Sequence, residues 1–286
     1  MPDSRVLEGY TVSVLGAGRI GQAILRSLAP CGARLIGTGR RNATLRAIAE
    51  TGAEPLRDNR LAVERADIII VSVKPYQFAE LASEISGLAG GKTVISVVAG
   101  VKLETLKAAF PGARVVRAMP NINALIGRST TAIATDPQGE RDGALRLAEK
   151  VFSCLGTVYT IPEEWFDTWT ALVGSSPAFL AEIIDGLVLG AVMTGMPREL
   201  AYKALLDAIK ATAEHLQLTP YHPLQLRDEV TTPAGTTIYG LKILESRGVK
   251  SGLMEVIETS TERGRILGEM IDHKVRKQIG NPQNPA

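Results

Sequence analysis

The hexapeptide Gly16-Ala17-Gly18-Arg19-Ile20-Gly21 has residue types and spacing that could hold a ligand. In a G-x-G-x-x-G stretch the first glycine permits a sharp turn and the second lets backbone approach a pyrophosphate. The third packs a helix on a strand, and that helix offers its unpaired N–H groups to the anion. The motif alone is common, but here it follows the β-branched run at residues 11–15 and precedes helix formers at 22–28, the context a dinucleotide site requires. NAD sites place an Asp or Glu about 20 residues downstream to bond the ribose 2'-hydroxyl. This chain reads Gly37-Thr38-Gly39-Arg40-Arg41-Asn42 there, and the guanidinium groups of Arg40 and Arg41 suit a 2'-phosphate instead. NADP(H) is the expected cofactor, with NAD(H) possible.

A second stretch, Thr232-Pro233-Ala234-Gly235-Thr236-Thr237, opens an amphipathic helical pattern. Several backbone N–H groups near a positive helix end would make a cradle for an anion such as a carboxylate. His215, His222 and His273 cluster with neither cysteines nor carboxylates, so no metal site and no histidine-centred triad is expected. Ser175 lacks a G-x-S-x-G elbow and is read as orienting substrate or packing a domain junction.

The elements that would carry these residues follow from periodicity. Short β-branched runs at 11–15, 34–37, 68–73, 93–98, 114–118, 130–134 and 157–160 alternate with helical patterns, as parallel strands joined by crossovers do. Lys74-Pro75 closes one such run at the edge where ligands of these sheets bind. After residue 161 the pattern is helical. Leu180, Ile183, Ile184, Leu187, Val188, Ala191 and Val192 recur at 3-and-4 spacing, and Gly186 and Gly190 would let another helix approach closely. Met196-Pro197 and Thr219-Pro220 interrupt the helices, and Gly248 with Ser251 reads as a stop and an N-cap. The expectation is an α/β Rossmann domain with a doubly wound, mostly parallel sheet (1–161), an all-α domain (162–279), to which the family resemblance given below assigns substrate binding and dimerisation, and a disordered tail (280–286).

Bulk properties narrow the partners. Of 286 residues, 45% are apolar and 22% charged, which suits a globular fold. A net charge of +2, from 32 basic and 30 acidic residues, gives no strong field toward nucleic acid or anionic membranes. Cys31 and Cys154 are too few for a disulfide framework and are read as reduced packing residues. Residues 1–8 do not resemble a secretory signal, and charged or glycine residues break every apolar run, so neither a leader nor a membrane span is expected. The expected location is the cytoplasm.

Over nearly its whole length the sequence resembles the pyrroline-5-carboxylate reductases. Residues 66–76 (ADIIIVSVKPY) resemble that family's strand ending in Lys-Pro, 95–101 (ISVVAGV) the strand leading to its Ala-Gly turn, and 117–121 (RAMPN) its nicotinamide-side loop. Residues 230–241 (VTTPAGTTIYGL) resemble its signature before a long helix, while 171–179 (ALVGSSPAF) and Thr261-Glu262-Arg263 resemble elements of its helical domain. The resemblance implies NAD(P)H-dependent reduction of 1-pyrroline-5-carboxylate to L-proline by hydride transfer to the cyclic imine. It implies cofactor contacts from Gly16, Ala17, Gly18, Arg19, Ile20, Gly21, Arg40, Arg41, Val73, Lys74, Pro75, Ala99, Gly100, Met119 and Asn121. It further implies substrate contacts from Ser175, Thr232, Ala234, Gly235, Thr236 and Thr237, with Thr237 beside the imine nitrogen as the catalytic or positioning residue. A homodimer with interlocking helical domains, sometimes assembled further, is also implied.

The chain departs from the family's pattern at four places. Ile122 and Asn123 stand where the family loop has Thr-Pro, Ser176 replaces a glycine, and Ala234 replaces the first glycine of a Pro-Gly-Gly run. These changes leave open a related cyclic imine acid as substrate. A non-catalytic NADP(H)-sensing protein is the alternative of a different class.

Overall fold

The computed structural model describes residues 5–280, and the chain divides into two compact units, Met1–Gly174 with Ser260–Ala286, and Ser175–Thr259. The first unit holds β1 (Thr11–Leu15), β2 (Arg34–Thr38), β3 (Glu54–Leu56), β4 (Ile68–Val71), β5 (Thr93–Ser96), β6 (Arg114–Met119), β7 (Ser129–Thr135) and β8 (Gly156–Thr160). They form one sheet in the order β3-β2-β1-β4-β5-β6-β7-β8. The helices α1 (Arg19–Leu28), α2 (Asn42–Ala49), α3 (Asn59–Glu64), α4 (Phe78–Ile85), α5 (Leu103–Ala109), α6 (Pro137–Arg141), α7 (Ala144–Ser153) and α8 (Phe166–Trp169) belong to this unit. Successive β4 residues point to opposite faces, Ile68 and Ile70 into one apolar core and Ile69 and Val71 into the other, because side chains alternate along a strand. A strand buried on both faces is apolar throughout, as Ile-Ile-Ile-Val is.

The doubly wound, mostly parallel sheet expected from the sequence is present, with two differences. β3 was not anticipated, because a three-residue edge strand containing Pro55 carries almost no periodic signal. β7 pairs antiparallel with β6, since the short link between them cannot make the crossover a parallel pair needs.

The strands end at Thr160, as read from the sequence, yet the compact unit extends to Gly174 and regains the chain from Ser260. Side-chain chemistry accounts for this. Arg117 on β6 is buried, donates to Glu163 Oε1 (2.9 Å) and stacks on the Phe166 ring at 4.4 Å, so residues just after the last strand neutralise a charge inside the sheet layer. The expected disordered tail began at residue 280, but the last helix runs through Gly280, and residues 281–286 lie outside the described residues.

One further expectation is corrected, and one reading of the apolar runs is refined. Cys31 and Cys154 form a disulfide with Cα atoms 6.6 Å apart, a pairing that a separation of 123 residues conceals in the sequence. The helical run Glu163–Met193 is long and apolar enough, by length and composition, to cross a membrane. Only Glu182 and Asp185 carry charge between residues 168 and 197, fewer interruptions than the sequence reading allowed.

The second unit contains α9 (Ser176–Met193), α10 (Arg198–Leu218), α11 (Pro223–Val230), α12 (Thr236–Ser246) and the beginning of α13 (Val249–Gly280). Pro197 stands at the N-cap of α10 and Thr219 at its C-cap, where the proline breaks were read. Ser251 is not an N-cap: α13 starts at Val249 after Gly248 at φ +61°, and the Ser251 hydroxyl donates to Gly248 O at 2.8 Å. Of α9 only Val188 is buried, while Leu187 (55%) and Met193 (88%) are exposed. A Cβ added at Gly186 or Gly190 would meet nothing within 4 Å, so the close helix neighbour that they would admit is not among the described residues.

Replacing Glu163 by Ala strands the buried Arg117 charge, and we expect a loss of about 3 kcal/mol in denaturant unfolding. Glu163→Gln, which still accepts a hydrogen bond, should lose roughly half as much.

Candidate active site

The parallel strands end nearly in line: Val14 lies opposite Gly37, Leu15 opposite Val71, Val71 opposite Ser96 and Ser96 opposite Arg117. The loops that follow therefore share one edge. Strand order reverses between β1 and β4, and the crevice at such a switch point is where ligands of open α/β sheets bind.

Each glycine of the hexapeptide has a distinct reason to be glycine. Gly16 sits at φ +74° and a Cβ there would lie 2.4 Å from Val73 Cγ1. Gly21 packs on β1, where a Cβ would come within 3.2 Å of Val14 Cγ1. Around Gly18 the nearest atom would be Gly16 O at 4.0 Å, so its Cβ side is open for a ligand's approach. No side chain caps α1 and no acidic residue occupies its first turn, which leaves its positive end available to an anion. These features fit a dinucleotide pyrophosphate.

At the end of β2, Thr38 is buried and its hydroxyl links two elements. It accepts from Gly16 N at 3.0 Å and donates to Asn59 Oδ1 at 2.7 Å, and Asn59 Nδ2 in turn donates to Glu84 Oε2 at 2.9 Å. Arg40 projects beyond it, 68% exposed, paired with Glu80 on α4 at 2.8 Å. The hydrogen bond and charge of Glu80 raise the Arg40 pKa, so this guanidinium stays charged. Arg41, the N-cap of α2, is also exposed. A third cation joins them that the sequence reading missed: Arg57, just past β3, donates to Arg40 O and to Asn42 Oδ1. Its only sequence signal was a basic residue after a strand that could not itself be recognised.

The remaining expected residues of the first unit fall on the same edge. Val73, Lys74 and Pro75 follow β4, with Lys74 N donating to Gln77 Oε1 at 3.3 Å; Ala99 and Gly100 (φ +80°) form the turn after β5; Met119 ends β6. Asn121 differs from expectation. It is 6% exposed, and its side chain accepts from Thr130 N and donates to Val173 O, each at 3.3 Å, so it ties the loop to β7 and does not present its amide outward.

In the second unit Thr231 ends α11, its hydroxyl donating to Arg227 O at 2.7 Å. Gly235 N donates to Thr232 O at 3.1 Å, and a Cβ on Gly235 would lie 2.3 Å from Thr232 Oγ1. Gly235 is the N-cap of α12 and supplies no side-chain acceptor, and Thr236 and Thr237 form the first turn without an acidic neighbour. The first amides there are left without a side-chain cap, the condition that the cradle reading requires. Ala234 holds φ +56°, the only non-glycine residue with positive φ among those described. Ser175 is the half-buried N-cap residue of α9.

Comparison with known proteins bears on both units. Residues 163–267 match the family model described as pyrroline-5-carboxylate reductase dimerisation, and residues 11–100 match one described as NADP oxidoreductase, coenzyme F420-dependent. The chain is 38% identical over 263 residues to a pyrroline-5-carboxylate reductase of Thermus thermophilus, covering 90% of this chain and 98% of that one. It is 37% identical over 212 residues to that of Synechocystis, covering 74% and 79%. Among solved structures it is similar to a pyrroline-5-carboxylate reductase from Coxiella burnetii, with TM-score 0.83, 26% identity and coverage of 90% and 98%. A Plasmodium falciparum pyrroline carboxylate reductase, solved with NADP bound, shares the fold at TM-score 0.81 and 24% identity, covering 91% and 99%.

The left-handed backbone at Ala234 costs about 1 kcal/mol that glycine does not incur. Ala234→Gly should therefore raise stability by roughly that amount in a denaturant titration.

Proposed function

Because the chain belongs to the pyrroline-5-carboxylate reductase family, we propose that it reduces 1-pyrroline-5-carboxylate to L-proline with NADPH as preferred electron donor. The observation that carries the reading is the pairing, in one chain, of a glycine turn built for a pyrophosphate with an uncapped Gly235-Thr236-Thr237 helix start suited to a carboxylate. When bound, the nicotinamide supplies a hydride. The protein's part is to hold, orient and desolvate.

In this reading the amides of Gly18, Arg19, Ile20 and Gly21 receive the pyrophosphate, with Ala17 completing the turn. Arg40 and Arg41, braced by Arg57, receive the 2'-phosphate. Val73, Lys74, Pro75, Ala99, Gly100 and Met119 line the path toward the nicotinamide, and Asn121 holds the last loop. The amides of Gly235, Thr236 and Thr237 bind the substrate carboxylate, with the Thr232 hydroxyl close by, Ala234 shaping the turn and Ser175 orienting the ring. The Thr237 hydroxyl bonds the imine nitrogen, keeping the protonated ring aligned. A cyclic imine is electrophilic once protonated, so this hydroxyl and the exclusion of water suffice without a strong acid–base pair.

The dimerisation-type region and the exposed apolar side chains of α9 support a homodimer, or a dimer-based higher oligomer, with Gly186 and Gly190 at an isologous contact. Such a contact also accounts for the apolar Glu163–Met193 run without a membrane. The disulfide removes the cysteine argument for a reducing compartment, so a cytoplasmic location rests on the consumption of NADPH alone.

The direct test follows nicotinamide absorbance with NADPH and 1-pyrroline-5-carboxylate and identifies the product chirally. L-Proline formed in step with NADPH loss is expected. Preference for another imine acid, which Ile122, exposed where the family has a hydroxyl, would favour, reassigns the substrate; NADPH binding without turnover of any imine points to a sensor. Arg57→Ala should raise KM for NADPH about tenfold and leave KM for NADH within about twofold, because Arg40 and Asn42 lose the bonds that hold their loop in place.

A further inference from the structure

The family model for the helical region ends at residue 267, but α13 continues to Gly280, and this continuation packs within the first unit. Its contacts concentrate on the turn after β5. A Cβ on Gly100 would lie 3.0 Å from Ile271 Cδ1, so the turn's backbone is pressed against that side chain. Val275 is buried in the same apolar cluster as Val98, Val101 and Leu103.

Polar contacts are more specific. Lys102 is the N-cap of α5 and makes no side-chain cap, leaving the first amides of that helix without local acceptors. Two carboxylates from distant parts of the chain replace the missing cap: Lys102 N donates to Asp272 Oδ1 at 2.9 Å, and Leu103 N to Glu163 Oε1 at 2.7 Å. Asp272 is 5% exposed, and Arg276 Nε donates to its Oδ2 at 2.7 Å and to Thr105 Oγ1 at 2.8 Å. Arg276 Nη2 reaches Glu104 Oε2 at 2.8 Å. Burial opposes ionisation of Asp272, but hydrogen bonds from Thr105, the Lys102 amide and Arg276 outweigh it and hold the carboxyl below its ordinary range. A buried charge with several donors fixes geometry more tightly than apolar contact, because each donor has a direction.

We propose that Asp272, steadied by Arg276, is a positioning residue that fixes the Ala99–Gly100 turn in the shape that receives the nicotinamide half of the cofactor. The inference rests on the cofactor reading above, in which that turn meets NADP(H). Asp272 touches neither cofactor nor substrate. It acts through the Lys102 amide two residues beyond Gly100, so its loss should loosen cofactor binding and leave imine affinity little changed.

Full-length wild type, Asp272→Ala and Asp272→Asn are compared by NADPH titration, by steady-state kinetics in both substrates and by hydrogen exchange of peptides covering residues 97–103. Asp272→Ala should weaken NADPH binding about tenfold, speed exchange in that segment and hold KM for the imine within about twofold. Asp272→Asn keeps an oxygen for the Lys102 amide but loses the charge that faces Arg276, and should weaken NADPH binding about threefold. Faster exchange in 97–103 with unchanged NADPH affinity overturns the proposal, as does unchanged exchange in Asp272→Ala. Should the Ala variant not fold, the Asn variant decides: a weakening of about threefold supports the role, and wild-type affinity refutes it. Wild-type protein that binds no NADPH would overturn the cofactor reading itself and this inference with it, an outcome distinct from failure of the variants.

Discussion

The ligand-facing edge depends on how closely two backbone segments can pass, the turn after β1 and the end of β4. At Gly16 the clearance is too small for a methyl group, with Val73 filling the space that a side chain would need. This contact lets the chain turn from β1 into α1 immediately beyond the sheet. The α1 amides are thereby delivered to the point where strand order reverses, while the neighbouring strands stop at matching register and bring their loops to the same level. The lack of a side chain at Gly21 lets α1 lie close on Val14, where a Cβ would come within 3.2 Å. Steric limits at two glycines thus set the geometry for binding by backbone at the third.

Electrostatics divides that edge. Near β2 and β3 the guanidinium groups of Arg40, Arg41 and Arg57 gather without an acid on β2, but α4 contributes Glu80 and Glu84 beside them. A 2'-phosphate joining Arg40 would compete with Glu80 for the same donors. Arg57 does not share that competition: its bonds run to Arg40 O and Asn42, and it shapes the loop from behind. At the other side, near β5 and β6, charge is turned inward, with Arg117, Glu163, Asp272 and Arg276 spent on capping and bracing. One half of the edge presents charge to a ligand, and the other uses it for rigidity.

Much of this was legible in the sequence because it is periodic or local. Short parallel strands of β-branched residues buried on both faces, the G-x-G-x-x-G turn and the missing acid after β2 are each readable within a few residues, and the change to helix after Thr160 follows from the loss of β-branched runs. What escaped was non-local or aperiodic. β3 is three residues with a proline, and Arg57 could not be placed without it. The capping of α5 by Asp272 and Glu163 joins segments 170 and 60 residues apart, and the cysteine pair is likewise visible only once the chain is folded. Asn121 was found by its motif, but its hold on β7 and Val173 was not, because a motif names a residue without saying which way its amide points.

The helical unit poses an energetic question that the sheet does not. Leu180, Leu187 and Met193 on α9, Leu218 on α10 and Tyr239 on α12 are exposed, well beyond the scattered apolar residues of an ordinary surface. A unit that leaves this much apolar surface in water gains too little from burial to offset the conformational entropy of ordering its helices. Residues 163–267 match a dimerisation-type family model, and a partner surface over those side chains would supply the missing burial. The Thr232–Thr237 cradle belongs to this same unit, and its strained Ala234 and first-turn amides hold their shape only as well as the helices around them do. The burial of α9 and α12 and the shape of the turn between α11 and α12 are then one thermodynamic problem, because helices that are better buried hold that turn more firmly.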